Sequence, residues 1–311
     1  MRVNKSPRFL SLLALLLCPL LLLTLTVASS GRASAQVGRR LVISAIPDQD
    51  PEKLNRLYGT LAAYLSRELG VPVEYKPVTD YAASVTAFRV GDLDLVWYGG
   101  LTGVQAWLQV PGARAIAQRD IDARFRSIFI ANAKSGITNL AGLKGRTFTF
   151  GSESSTSGRL MPQFFLRKNG ITLRHFRGQP GFSGTHDKTL ALVAAGSYEA
   201  GALNEQVWKK RVEEGSADTK NVRVIYTTPT YHDYHWVLNP AAARRLGGER
   251  FVRRVQTAFL KLNPKNPQHA EILDLFGAKR FVGTTASNYV NIERVGREIG
   301  LITGRRAAGR R

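Results

Sequence analysis

The chain has 311 residues, a single cysteine, and 44 Lys and Arg against 23 Asp and Glu, a formal net charge of +21. One cysteine excludes a disulfide scaffold and a thiolate metal site, and the length suits one large domain or two medium ones. The basic surplus is scattered over helix faces and the chain end (Arg305, Arg306, Arg310, Arg311), with no basic block interleaved with aromatics, which argues against nucleic acid as a partner.

Residues 1–35 read as a signal peptide. Arg2, Lys5 and Arg8 form a positive start, Leu10 to Val27 is almost wholly apolar, and Ala33-Ser34-Ala35 fits a small-x-small cleavage site after Ala35. The apolar run is also about long enough for an uncleaved anchor. Cys18, preceded by Leu17, is a poor lipoprotein signal. Cleavage would leave 276 residues carrying 40 basic and 23 acidic side chains, a charge of +17. An exported chain of this kind is expected to lack disulfides, its stability coming from a packed core.

Leu41 to Ile46 is an apolar strand closing on Pro47-Asp48. Leu54, Leu57, Leu61, Tyr64, Leu65 and Leu69 then keep helical spacing until Gly70 stops the helix. Val71 to Pro77 is a second strand, and Tyr81 to Val90 a helix capped by Thr79 or Asp80. Leu93 to Trp97 is a buried strand ending in Tyr98-Gly99-Gly100, and Leu101 to Gln109 is helical. That alternation implies a parallel, doubly wound α/β sheet.

Ala113 to Ala117 and Ser127 to Ala131 are further strands, with Phe125 just before the second; Asn139 to Gly145 is a helical turn leading to the strand Thr147 to Phe150. A Gly-rich link spans Gly178 to Gly184, and His186-Asp187 opens a helix. Ala200 to Leu203 is a strand of small residues running into Asn204-Glu205-Gln206 and a helix. Val222 to Tyr226 and His235 to Leu238 are strands around a polar, aromatic loop, and the rest is mostly helical to Ile302. Two lobes are expected, 36–129 plus 231–303 and 130–230, joined by two crossings with a cleft between them. A basic tail follows at 304–311.

The stretch Phe150-Gly151-Ser152-Glu153-Ser154-Ser155-Thr156-Ser157-Gly158 ends a strand and enters a helix. It places Ser154 to Ser157 on the first turn, where unpaired amides and the helix dipole favour an anion. An ordinary cap needs one hydroxyl; four exceed it. Ligands of open α/β sheets sit outside the carboxyl ends of strands. Tyr98, Ser154 to Ser157, His186, Asn204/Glu205 and Asp233 all fall at such ends, and Tyr81 opens a helix at another. Taken singly, His186 reads as a core or capping residue, Glu205 and Asp233 as solvated acids, and Tyr81 and Tyr98 as packing.

Asp80-Tyr81-Ala82, Leu93-Asp94-Leu95-Val96-Trp97-Tyr98-Gly99, Ser154-Ser155-Thr156-Ser157-Gly158, Gly184-Thr185-His186-Asp187 and Thr228-Pro229-Thr230-Tyr231-His232-Asp233 resemble stretches of one family. It is the periplasmic substrate-binding proteins of phosphate, phosphite and phosphonate ABC transporters, and the likeness covers nearly the whole mature length. The wording is nearest to a branch described as selenate-binding proteins. The resemblance implies a type II periplasmic-binding-protein fold: two doubly wound lobes, joined by a two-segment hinge, that close on an oxyanion and deliver it to an ABC permease. It implies anion contacts from Ser155, Thr156 and Ser157, hydrogen bonds from Tyr81 and His186, and acids at Glu205 and Asp233 able to hold a substrate ammonium. Phe125 stands where some relatives carry a tyrosine, which removes one hydroxyl donor. Glu153 opposes an anion unless it turns away.

The expected ligand is therefore a phosphonate- or phosphite-type oxyanion bound by a monomer without cofactor, metal or catalytic residue. Two acids near the cleft favour a ligand carrying a proton or an amine over bare selenate or sulfate, because unpaired buried charge is costly. The alternatives are a selenate or other oxyanion receptor of the same fold, a metal receptor using His232, Asp233, His235 and Glu205, and a receptor feeding a separate sensor protein. An enzyme reading would use Ser155 as nucleophile and His186 as base. Asp187 adjoins His186 in sequence and is poorly placed to orient it, and no Gly-x-Ser-x-Gly elbow is present.

Overall fold

A computed structural model of the chain describes residue 1 and residues 39–303. The leader beyond Met1, its cleavage site after Ala35 and the tail 304–311 lie outside the described residues. Among the described residues no helix is long and apolar enough to cross a membrane.

The first elements are β1 (Leu41–Ala45), α1 (Pro51–Leu69), β2 (Val73–Tyr75), α2 (Tyr81–Val90), β3 (Leu95–Tyr98), α3 (Gly100–Gln109) and β4 (Arg114–Arg119). β1 is buried along its whole length, as a parallel strand covered on both faces must be. Asp50 caps α1 by accepting from the amides of Glu52 and Lys53, and Gly70 ends it with φ 60°. Asp80, rather than Thr79, caps α2 through the Ala83 amide.

A 3-10 turn (Asp120–Arg124) then leads to β5 (Ser127–Asn132), β6 (Phe148–Phe150), a π-helical turn (Thr156–Leu160), α4 (Met161–Lys168), β7 (Gly181–Phe182), α5 (His186–Ala194), β8 (Ala200–Asn204), α6 (Glu205–Glu213) and β9 (Val222–Thr227). The chain returns through β10 (His235–Leu238), α7 (Pro240–Leu246), α8 (Gly248–Leu260), α9 (Pro267–Phe276), β11 (Phe281–Gly283) and α10 (Val290–Ile299). β7 lies in the Gly-rich link and β11 in the stretch read as helical, and at two and three residues neither carries periodicity enough to override that setting.

The strands form two sheets, ordered β11-β4-β10-β3-β1-β2 and β7-β6-β8-β5-β9. In each, the strand that follows a crossing runs against its neighbours: β10 lies antiparallel to β3 and β4, and β5 antiparallel to β8 and β9. The lobe boundary expected at 129/130 falls inside β5, which pairs with β8 from Ser127 to Ala131. A strand held by one continuous ladder belongs to one sheet, so the outward crossing lies before Ser127. The return crossing is the Thr228–Tyr234 loop. Phe125 and Tyr231 bridge the two crossings, each donating its amide to the other's carbonyl at 2.9 and 3.0 Å.

Side chains alternate along β5: Phe129 and Ala131 enter one apolar cluster, Ile128 and Ile130 another, so the second sheet is packed on both faces. The first sheet's core also takes in Leu160, Met161, Phe164 and Phe165, which follow the hydroxyl turn. Between the crossings and this core sits a buried cation. Arg119 donates from Nε and Nη2 to the Asp122 carboxylate at 2.8 and 2.7 Å and from Nη1 to the Phe276 carbonyl at 2.8 Å. Its guanidinium stacks on Trp97 and Tyr234 at 5.5 and 5.1 Å. Removing one partner of a buried pair strands the other's charge, whereas removing both does not. Asp122→Ala should therefore lower the unfolding free energy by about 3–5 kcal/mol in urea titrations, and Arg119→Met with Asp122→Leu by far less; equal losses in the two proteins would contradict this account.

Candidate functional site

Helix starts from both halves meet where the sheets face each other. Ser155 caps the π-helical turn, its Oγ accepting from the Gly158 amide at 2.9 Å. α3 has no cap from its own residues. Its first amides are satisfied from a distance: Gly100 donates to Asp233 Oδ1 at 2.8 Å and Leu101 to Thr156 Oγ1 at 2.9 Å. α5 begins with His186, whose amide donates to the Asp48 carbonyl at 3.0 Å, and α2 begins with Tyr81. Each start follows a strand end of its sheet, as the winding of these sheets requires.

Two glycines allow this crowding. A Cβ on Gly99 would stand 3.0 Å from Thr156 Oγ1 and 3.2 Å from Asp233 Oδ1. One on Gly158 would stand 3.1 Å from Ser155 Oγ and 3.2 Å from His186 Cε1. Ser155, Thr156, Ser157, His186, Asp233 and Tyr81 are at most 2% exposed. Ser154 is half-buried, and Glu153 is exposed, turned away from the buried hydroxyls.

Burial, acting against charge, sets the protonation of this cluster. It raises the Asp233 carboxyl to about 7 despite the Gly100 amide, and among the described residues Asp233 Oδ2 has no hydrogen-bond partner. It raises Asp48 to about 6 against the opposing hydrogen bond from Tyr234. It lowers His186 to about 4 and keeps the Tyr81 phenol well above its ordinary range. The Tyr81 hydroxyl sits beside Ser155 without a well-formed hydrogen bond. Around these groups run contacts of the Tyr234 hydroxyl, donated to Asp48 Oδ2 at 2.7 Å, 3.4 Å from His186 Nε2, and accepting from Asn204 Nδ2 at 3.2 Å.

Not every residue singled out in the sequence reaches this cluster. The Tyr98 hydroxyl donates to the Ser84 carbonyl at 2.8 Å, so Tyr98 supplies packing beneath α2 rather than a donor. Phe125 is fully buried, an apolar wall with its ring against Tyr234 and Tyr231. Glu205 pairs with Lys209 at 3.1 Å, one turn along α6, which withdraws it from the role of ammonium acceptor. His235 faces Asp233's own carbonyl and Tyr289, and among the described residues no group of three His, Cys, Asp or Glu could hold a metal ion. Asp48, Tyr234 and Arg119 had not been singled out. Asp48 follows the end of β1, so the strand-end rule applied to every strand would have found it, whereas Tyr234 precedes β10 and reaches the cluster because the antiparallel pairing of β10 with β3 sets His235 beside Tyr98.

Two cavities adjoin the cluster. One of about 190 Å³ is lined by Asp48, Lys53, Trp97, Arg119, Asn204 and Tyr234. The other, about 930 Å³, takes in Asp50, Tyr81, Thr185, Asp187 and Arg211. Ser155, Thr156 and Ser157 line neither; they are enclosed, so the open space marks approaches rather than the polar cluster itself.

Two doubly wound halves, a paired two-segment hinge and buried donors where the halves meet define a type II periplasmic solute-binding protein. Residues 43–289 match the family described as ABC transporter, phosphonate, periplasmic substrate-binding protein, and the chain belongs to that family. It is 46% identical over 269 residues, 84% of this chain and 90% of the relative, to a probable ABC transporter phosphite binding protein, PhnD1, of Prochlorococcus marinus. It is 25% identical over 231 residues, 70% of each chain, to the phosphate-import protein PhnD of Mycolicibacterium smegmatis. The structure of the Prochlorococcus protein in complex with methylphosphonate superposes with a TM-score of 0.83 at 45% identity, over 85% of this chain and 100% of that one. These relatives are binding components of importers, not enzymes.

His186, buried neutral, should make the fold lose stability as pH falls from 6.5 towards 4, because the unfolded imidazole then takes a proton that the folded one refuses. The carboxyls of Asp48 and Asp233, raised by burial, contribute in the opposite sense over that window. Comparing His186→Gln with wild type isolates the histidine: the variant should gain on the order of 1–3 kcal/mol relative to wild type between pH 6.5 and 4 in denaturant titrations. A pH-independent difference would mean that the imidazole titrates normally.

Proposed function

We propose that the cleft captures a small, singly protonated phosphorus oxyanion of methylphosphonate or phosphite size and passes it, as a monomer in the periplasm, to its ABC permease. The observation that carries this reading is Asp233, a fully buried carboxyl beside Thr156 and the start of α3 whose Oδ2 has no partner among the described residues. A carboxylate facing an anion is repulsive unless a proton lies between them. A P–OH group supplies that proton, and the remaining oxygens take donors from Ser155, Thr156, Ser157, Tyr81 and His186 together with the turn's amides. Selenate and sulfate, without a proton near neutrality, leave Asp233 unanswered. The Glu205–Lys209 pair argues against an aminoalkylphosphonate as the preferred ligand. Phe125 and Tyr234 offer an apolar edge suited to a P–H or P–CH3 face.

Calorimetry across methylphosphonate, phosphite, phosphate, 2-aminoethylphosphonate, sulfate and selenate tests the reading. Methylphosphonate or phosphite should bind most tightly, and Thr156→Ala or Ser157→Ala should each weaken that ligand by about 1–3 kcal/mol, as expected for hydrogen bonds to a charged group. Tightest binding of selenate or sulfate would remove the role given to Asp233.

The shared proton also sets a pH dependence. Above about pH 7 the empty site's Asp233 is ionised, so binding a dianion must take up one proton, and affinity should fall roughly tenfold per pH unit once the ligand is dianionic. Asp233→Asn should change that slope; an unchanged profile would place the proton elsewhere.

A further inference from the structure

His186 belongs to the buried cluster, yet its neighbour Asp187 does not. Asp187 points outwards from the first turn of α5, at the rim of the wider cleft, and spans the gap between the halves. Its Oδ2 accepts from the Asp50 backbone amide at 3.1 Å, and Asp50 is the residue that caps α1 on the opposite half. Its Oδ1 accepts from Arg211 Nε at 3.1 Å and Nη2 at 2.9 Å, and Arg211 lies on α6 of Asp187's own half. Beside it the His186 amide reaches the Asp48 carbonyl at 3.0 Å, so two consecutive residues of α5 grip two positions of the β1–α1 loop.

We propose that Asp187 is a closure latch: a positioning residue, aimed by Arg211, that holds the β1–α1 loop against α5 and thereby sets how slowly a captured ligand leaves. The geometry separates this task from ligand contact. Asp187 turns to the rim and the Arg211 guanidinium, while the hydroxyl turn is enclosed on the inner side of His186. An Oδ2 that accepts a backbone amide makes its bond only when the halves are together, so its energy counts towards the closed state and not the open one. Arg211 fixes the carboxylate's rotamer, which lowers the entropy lost when the latch engages. The carboxylate is about one-fifth exposed, so its contribution is modest and selective for the departure step. An interaction formed only after closure leaves the encounter rate nearly unchanged and acts on the off-rate.

This inference rests on the oxyanion-receptor reading, and the test separates the two. Methylphosphonate association and dissociation are followed by stopped-flow fluorescence of the intrinsic tryptophans for wild type, Asp187→Ala, Asp187→Asn and Arg211→Ala. Asp187→Ala should raise the off-rate about 5- to 20-fold with the on-rate within twofold. Asp187→Asn, which keeps an oxygen for the Asp50 amide, should recover most of that loss, and Arg211→Ala should fall between them. Thermal unfolding midpoints close to wild type would show that each variant is folded. Failure of wild type to bind methylphosphonate would count against the oxyanion-receptor reading. If wild type binds, an unchanged off-rate in Asp187→Ala and Arg211→Ala overturns the latch. So does a loss carried by the on-rate, or an Asn variant no better than Ala.

Discussion

Unpaired backbone amides at helix starts are the constraint on which the rest of this molecule depends. A doubly wound sheet delivers a helix start to the end of nearly every strand, and each start presents donors without an internal partner. Here the starts of α2, α3, α5 and the π-helical turn meet between the sheets, and the amides of Gly100 and Leu101 are answered by Asp233 and Thr156 from other parts of the chain. The hinge and the two glycines, Gly99 and Gly158, allow these elements to come so near one another. Ser155, Thr156 and Asp233 answer these amides from within the chain, and in the proposed reading a small anion accepts from the Tyr81 hydroxyl, which has no partner among the described residues.

Electrostatic balance follows from the same enclosure. The cluster holds two carboxyls, Asp48 and Asp233, yet burial drives both towards their neutral forms and keeps His186 uncharged. The nearby fixed cation, Arg119, is neutralised by Asp122 and faces aromatic rings. In the proposed reading, selectivity is carried by dipoles and by one acceptor, the Asp233 carboxyl. A site built this way discriminates by proton count and size, which net charge alone does not do.

In the proposed reading, donors from separate halves make capture and closure one event. Ser155 to Ser157 and His186 belong to the half built on the second sheet, whereas Tyr81 and the start of α3 belong to the other. Thr156 already touches α3, and Tyr234, on the return crossing, contacts Asp48, His186 and Asn204. Bending at the Phe125–Tyr231 bridge would separate these sets, so in the proposed reading the hinge and the hydroxyl turn contribute to affinity together.

Much of this was legible in the chain itself. The 2.0 and 3.6 residue periods, a cap at Thr79 or Asp80, and the run Ser154–Ser157 at a strand end follow from local chemistry, and they determined an α/β fold with a hydroxyl-lined turn between strand and helix. Likeness of local motifs indicated the family. The tertiary structure decided which strand-end residues converge: Tyr98 turns its hydroxyl to Ser84, Glu205 is taken by Lys209, and Asp48 and Tyr234 enter the cluster. It also decided that Asp233 is buried with its carboxyl raised to about 7, since the dielectric around a side chain depends on what packs over it from distant segments. Patterning along a chain records which face an element buries, whereas the direction of a hydroxyl and the charge of a carboxyl are settled only by neighbours far away in sequence.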